Sequence, residues 1–240
     1  MGPYPSSPLM NSRILINHLT RMKHPNYCIA GIDVNRKKHV RPELKTGRIT
    51  KIYLGKNGGP FSIGSIVDIP GLDLNPERPQ SENARFRPHR VRVVQKLSSS
   101  EFWNCLNENA KNNLDEIFAD LNYREKSNHS FSTFVKPREG DVSLGILKTK
   151  NITLYSSSSG GVQRKLRAVL PENNKRIDLS ITDYRLYEDD LVTPKFELFR
   201  KYKELVEKED LLICLGLTKL YDGMHWLQVN NIYFKDGPIQ

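Results

Sequence analysis

The chain has 240 residues, of which 38% are apolar and 27% charged, with a formal net charge of +10. That length holds one large domain or two small ones, and the composition is that of a water-soluble globular chain rather than a disordered or fibrous one. No run approaches the roughly 18 apolar residues that a membrane-spanning helix needs, and the stretch MGPYPSSPLMNS lacks the basic and apolar regions of a secretory signal.

Residues 1–12, with Pro3, Pro5 and Pro8 among serines, read as a flexible leader, with ordered structure expected from Arg13. Short apolar runs separated by glycine, proline or charge then predict strands over 14–20, 27–34, 39–43, 49–54, 62–69 and 90–96. In the last of these Arg90 and Arg92 alternate with Val91 and Val93, the period of a half-buried strand. Between the strands ending at 69 and starting at 90, LNPERPQSENARFRP at 74–88, with three prolines and no periodicity, predicts an irregular loop. Ser98 and Glu101 stand at capping-box spacing and open a helical region, read as two short helices over about 100–121 because 107–113 interrupts the apolar pattern. Strand signals resume at 130–135, 143–147, 152–156, 162–170 and 177–182, with SSSSGG at 156–161 as a flexible turn. Phe196, Phe199, Tyr202, Leu205 and Val206 mark a short amphipathic helix over 195–209. Two final strands, 211–218 and 225–234, flank Asp222-Gly223, a hairpin signal.

The pattern predicts a mainly β fold with minor α: two OB-like five-stranded Greek-key barrels with short connecting helices. The first barrel is expected over 13–96, a helical connector over 97–129, and the second barrel over 130–240. Cys28, Cys105 and Cys214 are odd in number, far apart and set in apolar patterns, so neither a disulfide nor a thiolate metal site is expected, and a reducing cytoplasm is the expected location. The charge is uneven. Residues 1–96 hold 17 Lys/Arg against 6 Asp/Glu, whereas 97–240 hold 20 against 21. A basic half beside a neutral half points to a polyanion met by one face.

Several stretches, in order, carry a family resemblance. The apolar run Cys28-Ile29-Ala30-Gly31-Ile32 leads to Val40-Arg41-Pro42, with His39 where an aromatic residue is more usual. Pro79-Gln80-Ser81-Glu82-Asn83 follows, then Ser143-Leu144-Gly145-Ile146-Leu147. Ile181-Thr182-Asp183, Leu215-Gly216-Leu217-Thr218 and His225-Trp226-Leu227-Gln228-Val229 close the series. Together they resemble the dual OB-containing domain family of prokaryotes over nearly the whole chain. That resemblance implies two OB-like barrels, nucleic-acid binding and frequent occurrence beside antiviral defence genes, and it implies no catalytic mechanism.

OB barrels hold single strands by pairing a cationic groove with exposed rings. Candidate contacts in the first half are Arg36, Lys37, Lys38, His39 and Arg41, continued by Arg48, Lys51 and Tyr53, with a second set of Arg85, Phe86, Arg87, Arg90 and Arg92. The first cluster is expected at a barrel mouth as a phosphate site. Core packing competes for Tyr53 and Phe86; Trp226 and Trp103 read as core, and His225 is open to either a contact or a solvated role. The expected ligand is nucleic acid, single-stranded by preference and DNA or RNA, with protein partners in a larger system, no membrane contact and no cofactor. The chain contains no HExxH, Walker-type loop or GxSxG. Two other functions stay open: a protein-interaction adaptor, and a metal-dependent nuclease if Asp178, Asp183, Glu188, Asp189 and Asp190 converge.

Overall fold

A computed structural model describes residues 10–126, 129–159 and 163–237. The first strands are β1 (Met10–Arg21), β2 (Tyr27–Asp33), β3 (Lys38–Leu44), β4 (Ser65–Leu74) and β5 (Asn83–Phe86). They pair in the order β1-β2-β3-β5-β4, and β4 returns to β1, which closes a five-stranded barrel. The β3–β5 pair is parallel, with Arg41 opposite Asn83. Closure demands tight crossing at Gly31, where a Cβ would lie 2.2 Å from the Leu15 carbonyl oxygen. Strand β1 starts inside the expected leader, and residues 1–9 of that leader lie outside the described residues.

Two expectations for this half are corrected. Residues 49–54 are not a strand: the chain makes two 3-10 turns, Lys51–Tyr53 and Gly55–Asn57. Its backbone there folds onto Gly59, whose Cβ would sit 2.1 Å from Tyr53, too close for an extended run. The supposed irregular loop after 69 in fact contains the end of β4 and all of β5. With only four residues and prolines nearby, β5 shows no readable period and takes its form from pairing with β3 and β4.

Strand β6 (Arg92–Lys96) adds to β4 outside the barrel. The connector holds one helix rather than two. In α1 (Ser99–Asn109), the Ser98 hydroxyl accepts from the Glu101 N–H and the Glu101 carboxylate accepts from the Ser98 N–H. Phe102, Trp103 and Leu106 bury against the first barrel. Residues 114–118 form only a turn, and the connector ends in an unforeseen strand, β7 (Asn122–Glu125), paired with β8 (Ser130–Val135).

The second sheet contains β9 (Leu144–Thr149), β10 (Thr153–Ser159), β11 (Gln163–Glu172), β12 (Lys175–Ile181), β13 (Leu211–Leu217) and β14 (His225–Phe234), with helix α2 (Phe196–Leu205) between β12 and β13. The expected SSSSGG turn is strand through Ser159, and its two glycines lie outside the described residues. Only residues 150–152 separate β9 from β10, with Asn151 at φ 62°. The two are halves of one bent strand: β10 pairs with β11 and β9 with β13. Counted so, the circuit matches the first barrel, including a parallel pair, β12 with β14. Helix α2 stands where the first barrel has its 3-10 turns. Asp222 (φ 50°) and Gly223 (φ 73°) give the hairpin its tight left-handed turn.

All seven residues of β13 are buried. Leu211, Ile213, Leu215 and Leu217 face the second core, while Leu212 and Cys214 face the first. A strand covered on both faces reads as a continuous apolar run, so β13 is a wall shared by two barrels. Asn231 seals the seam by accepting from the Leu19 N–H (2.9 Å) and donating to the Leu19 carbonyl (3.2 Å). A buried latch sits beside it. The Glu82 carboxylate accepts from the N–H groups of Ser143 (2.6 Å) and Leu144 (3.1 Å) and from the Ser143 hydroxyl (2.9 Å). That hydroxyl accepts from the Arg41 guanidinium at 2.9 Å.

Removing the carboxylate orphans two backbone donors in a dry site, each worth about 1–3 kcal/mol. Glu82→Ala should therefore lower unfolding free energy by about 2–5 kcal/mol in urea titration, and Glu82→Gln, which keeps one acceptor, by less.

Candidate nucleic-acid interface

The outer face of β1, β2 and β3 and the hairpin of β13 and β14 enclose a cleft of about 580 Å³. Its walls come from both barrels because the latch and the shared wall fix them together. Residues 75–82, which link β4 to β5, do not reach the cleft mouth. They dock on the second barrel instead: the Gln80 amide donates to the Thr218 carbonyl (2.9 Å) and meets His225 Nδ1 at 3.3 Å. His225 is thus a buried seam residue rather than a surface contact. The second barrel's hairpin overhangs the first barrel's face.

The cleft carries five cations, Arg21, Lys23, Arg41, Arg48 and Lys219, against one carboxylate, Glu43. Their availability differs. Arg21 donates to the Leu191 carbonyl (2.7 Å) and lies 3.9 Å over the Tyr187 ring. Lys219 pairs with Glu43 at 3.0 Å. Lys23 and Arg48 are exposed and have no ion-pair partner among the described residues. Tyr221, 73% exposed at the hairpin tip, and Tyr27, buried in the wall, supply rings. A smaller recess shares Thr218, Tyr221 and Gln228 with the cleft and continues it toward Trp226.

Of the residues expected from sequence, the cleft gathers only Arg41 and Arg48. Arg41 is corrected: it is 5% exposed, and its guanidinium donates to Asn83 (3.2 Å) and Ser143 (2.9 Å), so it holds the barrels together beneath the cleft. Phe86 is corrected too. It is fully buried, edge-to-face with Phe61 at 5.9 Å, because alternation along β5 turns it inward between two outward arginines.

Arg36 and Lys37 sit on the β2–β3 turn and Lys38 opens β3, three to five residues or about 10–17 Å along the strand from the cleft residue Arg41. Arg36 pairs with Asp33 at 3.4 Å and Lys37, at φ 55°, with Glu108 at 3.5 Å. Lys51 is exposed on its 3-10 turn, and Tyr53 packs half-buried on the first core. Arg85 lies in register between Glu43 and Asp73. Arg87 and Arg90 are exposed, and Arg92 pairs with Asp68 at 3.0 Å.

The cleft residues that the sequence reading missed are Arg21, Lys23, Lys219 and Tyr221. Lys219 and Tyr221 directly precede the Asp222-Gly223 signal, where an exposed Leu220-Tyr221 pair at a turn was a readable sign. The acidic set 178–190 diverges. Asp178 accepts from Arg167 (2.9 Å), Lys126 (3.0 Å) and Tyr155 (3.0 Å). Burial pushes its pKa up, but bonds from Arg167 and Lys126 hold it below the usual carboxylate range. Asp183 binds Arg185, Asp189 binds Lys56, and Asp190 caps Val192 and Thr193.

Residues 14–232 match the family model described as the dual OB-containing domain. The chain belongs to that family. No curated protein and no solved structure matches it. Motifs that carry the resemblance meet in space within this dual OB-containing chain: Arg41, Gln80, Glu82, Asn83, Ser143, Thr218 and His225 form one hydrogen-bonded seam. OB barrels are in general binding modules, with ligands on the face of their second and third strands. In the first barrel that face is the wall of the cleft. No helix among the described residues is long and apolar enough to cross a membrane.

Beside the seam His18 and His39 meet edge-to-face at 5.3 Å. Burial first, then the charge of Arg41, lowers the His39 pKa to about 4. Burial, with His39 and Arg41 nearby, takes His18 well below its ordinary value. Both are neutral in the folded state, whereas in the unfolded chain they take protons below about pH 6.5. Stability should therefore fall as pH drops from about 6.5 toward 4, by up to about 1.4 kcal/mol per pH unit for each histidine. His39→Gln should remove one proton from that dependence in urea titrations across the window.

Proposed function

We propose that the cleft between the two barrels binds a single-stranded nucleic acid, and that the chain serves as a non-catalytic binding component of a larger prokaryotic system, the antiviral setting that the family resemblance implies. The observation that carries this reading is the cleft itself: the ligand face of an OB barrel, walled by a second barrel, with five cations against one carboxylate and an exposed tyrosine at its lip. Cations on such a face neutralise phosphate and release counterions, while rings stack on bases. Stacking on Tyr221 needs an unpaired base, which favours a single strand over a duplex. Lys23 and Arg48 are the primary phosphate contacts because no carboxylate holds them. Arg36, Lys37 and Lys38 on the far turn, with Lys51, Arg85, Arg87, Arg90 and Arg92 outside the cleft, extend the positive surface as secondary contacts.

A non-catalytic role is supported by Asp178, Asp183, Asp189 and Asp190, which are engaged by separate protein partners instead of facing a common point. An adaptor role is favoured by one observation, β6, which ends its sheet with Val93 and Val94 exposed. Salt separates the two readings, since phosphate binding weakens linearly in log–log terms with salt.

Anisotropy titrations of a labelled single strand across about 50–300 mM salt should show that dependence. Lys23→Ala/Arg48→Ala should weaken binding at least about tenfold and reduce the slope by about 1.4, at about 0.7 per single-strand phosphate. Arg36→Ala/Lys37→Ala/Lys38→Ala should weaken it less than about threefold. Binding that ignores salt, or a far-turn variant more damaging than the cleft variant, contradicts the reading.

A further inference from the structure

The recess beyond the hairpin differs in chemistry from the cleft that leads to it. Its volume is about 240 Å³, below the roughly 300 Å³ at which pockets for drug-sized ligands begin, and so suited to one ring system rather than a length of chain. Its two cations share one carboxylate. Arg167 and Lys126 both bind the Asp178 carboxylate, and Arg167 also donates to the Ser180 hydroxyl at 2.6 Å. Among the described residues that line the recess, both cations are already bound to Asp178, whereas Lys23 and Arg48 wait unpaired in the cleft.

What the recess leaves open is neutral. The Thr133 hydroxyl, buried in the wall of the recess, has no hydrogen-bond partner among the described residues. The Gln228 amide uses one N–H on Asn230 Oδ1 (3.2 Å), which leaves its oxygen and its other N–H side by side. The indole of Trp226 lines the same space, fixed by its Nε1–H to the Tyr221 carbonyl (2.9 Å) and with the Arg124 guanidinium 4.9 Å from its ring. A planar wall, an amide and an unmet hydroxyl, in a recess where Arg167 and Lys126 are already engaged by Asp178, describe the complement of a nucleobase: flat, uncharged and edged with donors and acceptors.

We propose that this recess is a base-selective subsite, taking one unstacked base of the strand whose phosphates lie in the cleft. The inference rests on the nucleic-acid reading of the cleft and adds a preference among bases, which phosphate contacts cannot confer. Gln228 and Thr133 read the base edge, and Trp226 is its stacking surface.

The test measures the affinities of short homopolymers of deoxyadenosine, deoxycytidine and deoxythymidine at one salt concentration, for the full chain and for Gln228→Ala and the near-isosteric Thr133→Val. The expected result is a spread of about tenfold among the three strands, reduced to about threefold or less by either variant with the salt slope unchanged. Quenching of Trp226 fluorescence should be strongest with the preferred strand and absent in Trp226→Phe. Equal affinities for the three homopolymers, or a spread that survives both variants, overturn the subsite while leaving the cleft reading intact. Failure of all three strands to bind overturns the cleft reading, and this inference with it.

Discussion

One buried carboxylate fixes the relation of the two barrels. Glu82 sits at the end of a loop that in an isolated barrel would be free to move, and it accepts three hydrogen bonds from Ser143 and Leu144, where the second barrel begins. A buried carboxylate is costly unless its lone pairs are met. Here backbone donors and a hydroxyl meet them, and Arg41 adds positive charge through the shared Ser143 hydroxyl. The arrangement is satisfied only in one docking geometry, so it specifies that geometry as well as stabilising it.

The consequence reaches the candidate site directly. With β13 packed into both cores, the barrels cannot behave as independent beads on a linker. The first barrel gives up its own β4–β5 loop to the seam and receives the second barrel's hairpin over the face of β1, β2 and β3. A cleft built this way exists before any ligand arrives. A ligand of the proposed site would avoid the cost of ordering a linker and two separate domains, which otherwise subtracts from affinity. The mixed chemistry of the cleft has the same origin, since the first barrel contributes four of its five cations and the second its exposed tyrosine.

What was legible in the sequence was local. The Ser98–Glu101 capping box and the Asp222-Gly223 turn are decided within a few residues, and the structure keeps both, whereas the alternation read over Arg90–Val93 does not bury a face, since all five residues of β6 are exposed. The two-barrel architecture was legible as strand spacing. The roles of particular side chains were not, because their partners lie far along the chain. Arg41 stands in a basic stretch and reads as surface, yet its Ser143 partner is 102 residues away. Phe86 stands among arginines, where core packing and a ring contact competed, and pairing of β5 with its neighbours turns it inward. Lys219 and Tyr221 were absorbed into a turn signal, and only docking of the second barrel brings them over the first. Charge counted along the chain singled out the first barrel but not the face where the cleft cations gather.

The most direct measurement is photocross-linking of the wild-type chain to a single strand carrying a thiothymidine, with the adducts mapped by peptide mass spectrometry. Single-strand binding in the inter-barrel cleft requires adducts in the peptides that contain Tyr27 and Lys219–Tyr221, from both barrels at once. Adducts confined to the peptides holding Arg36–Lys38 or Arg85–Arg92 would place the strand on the outer surface and contradict it.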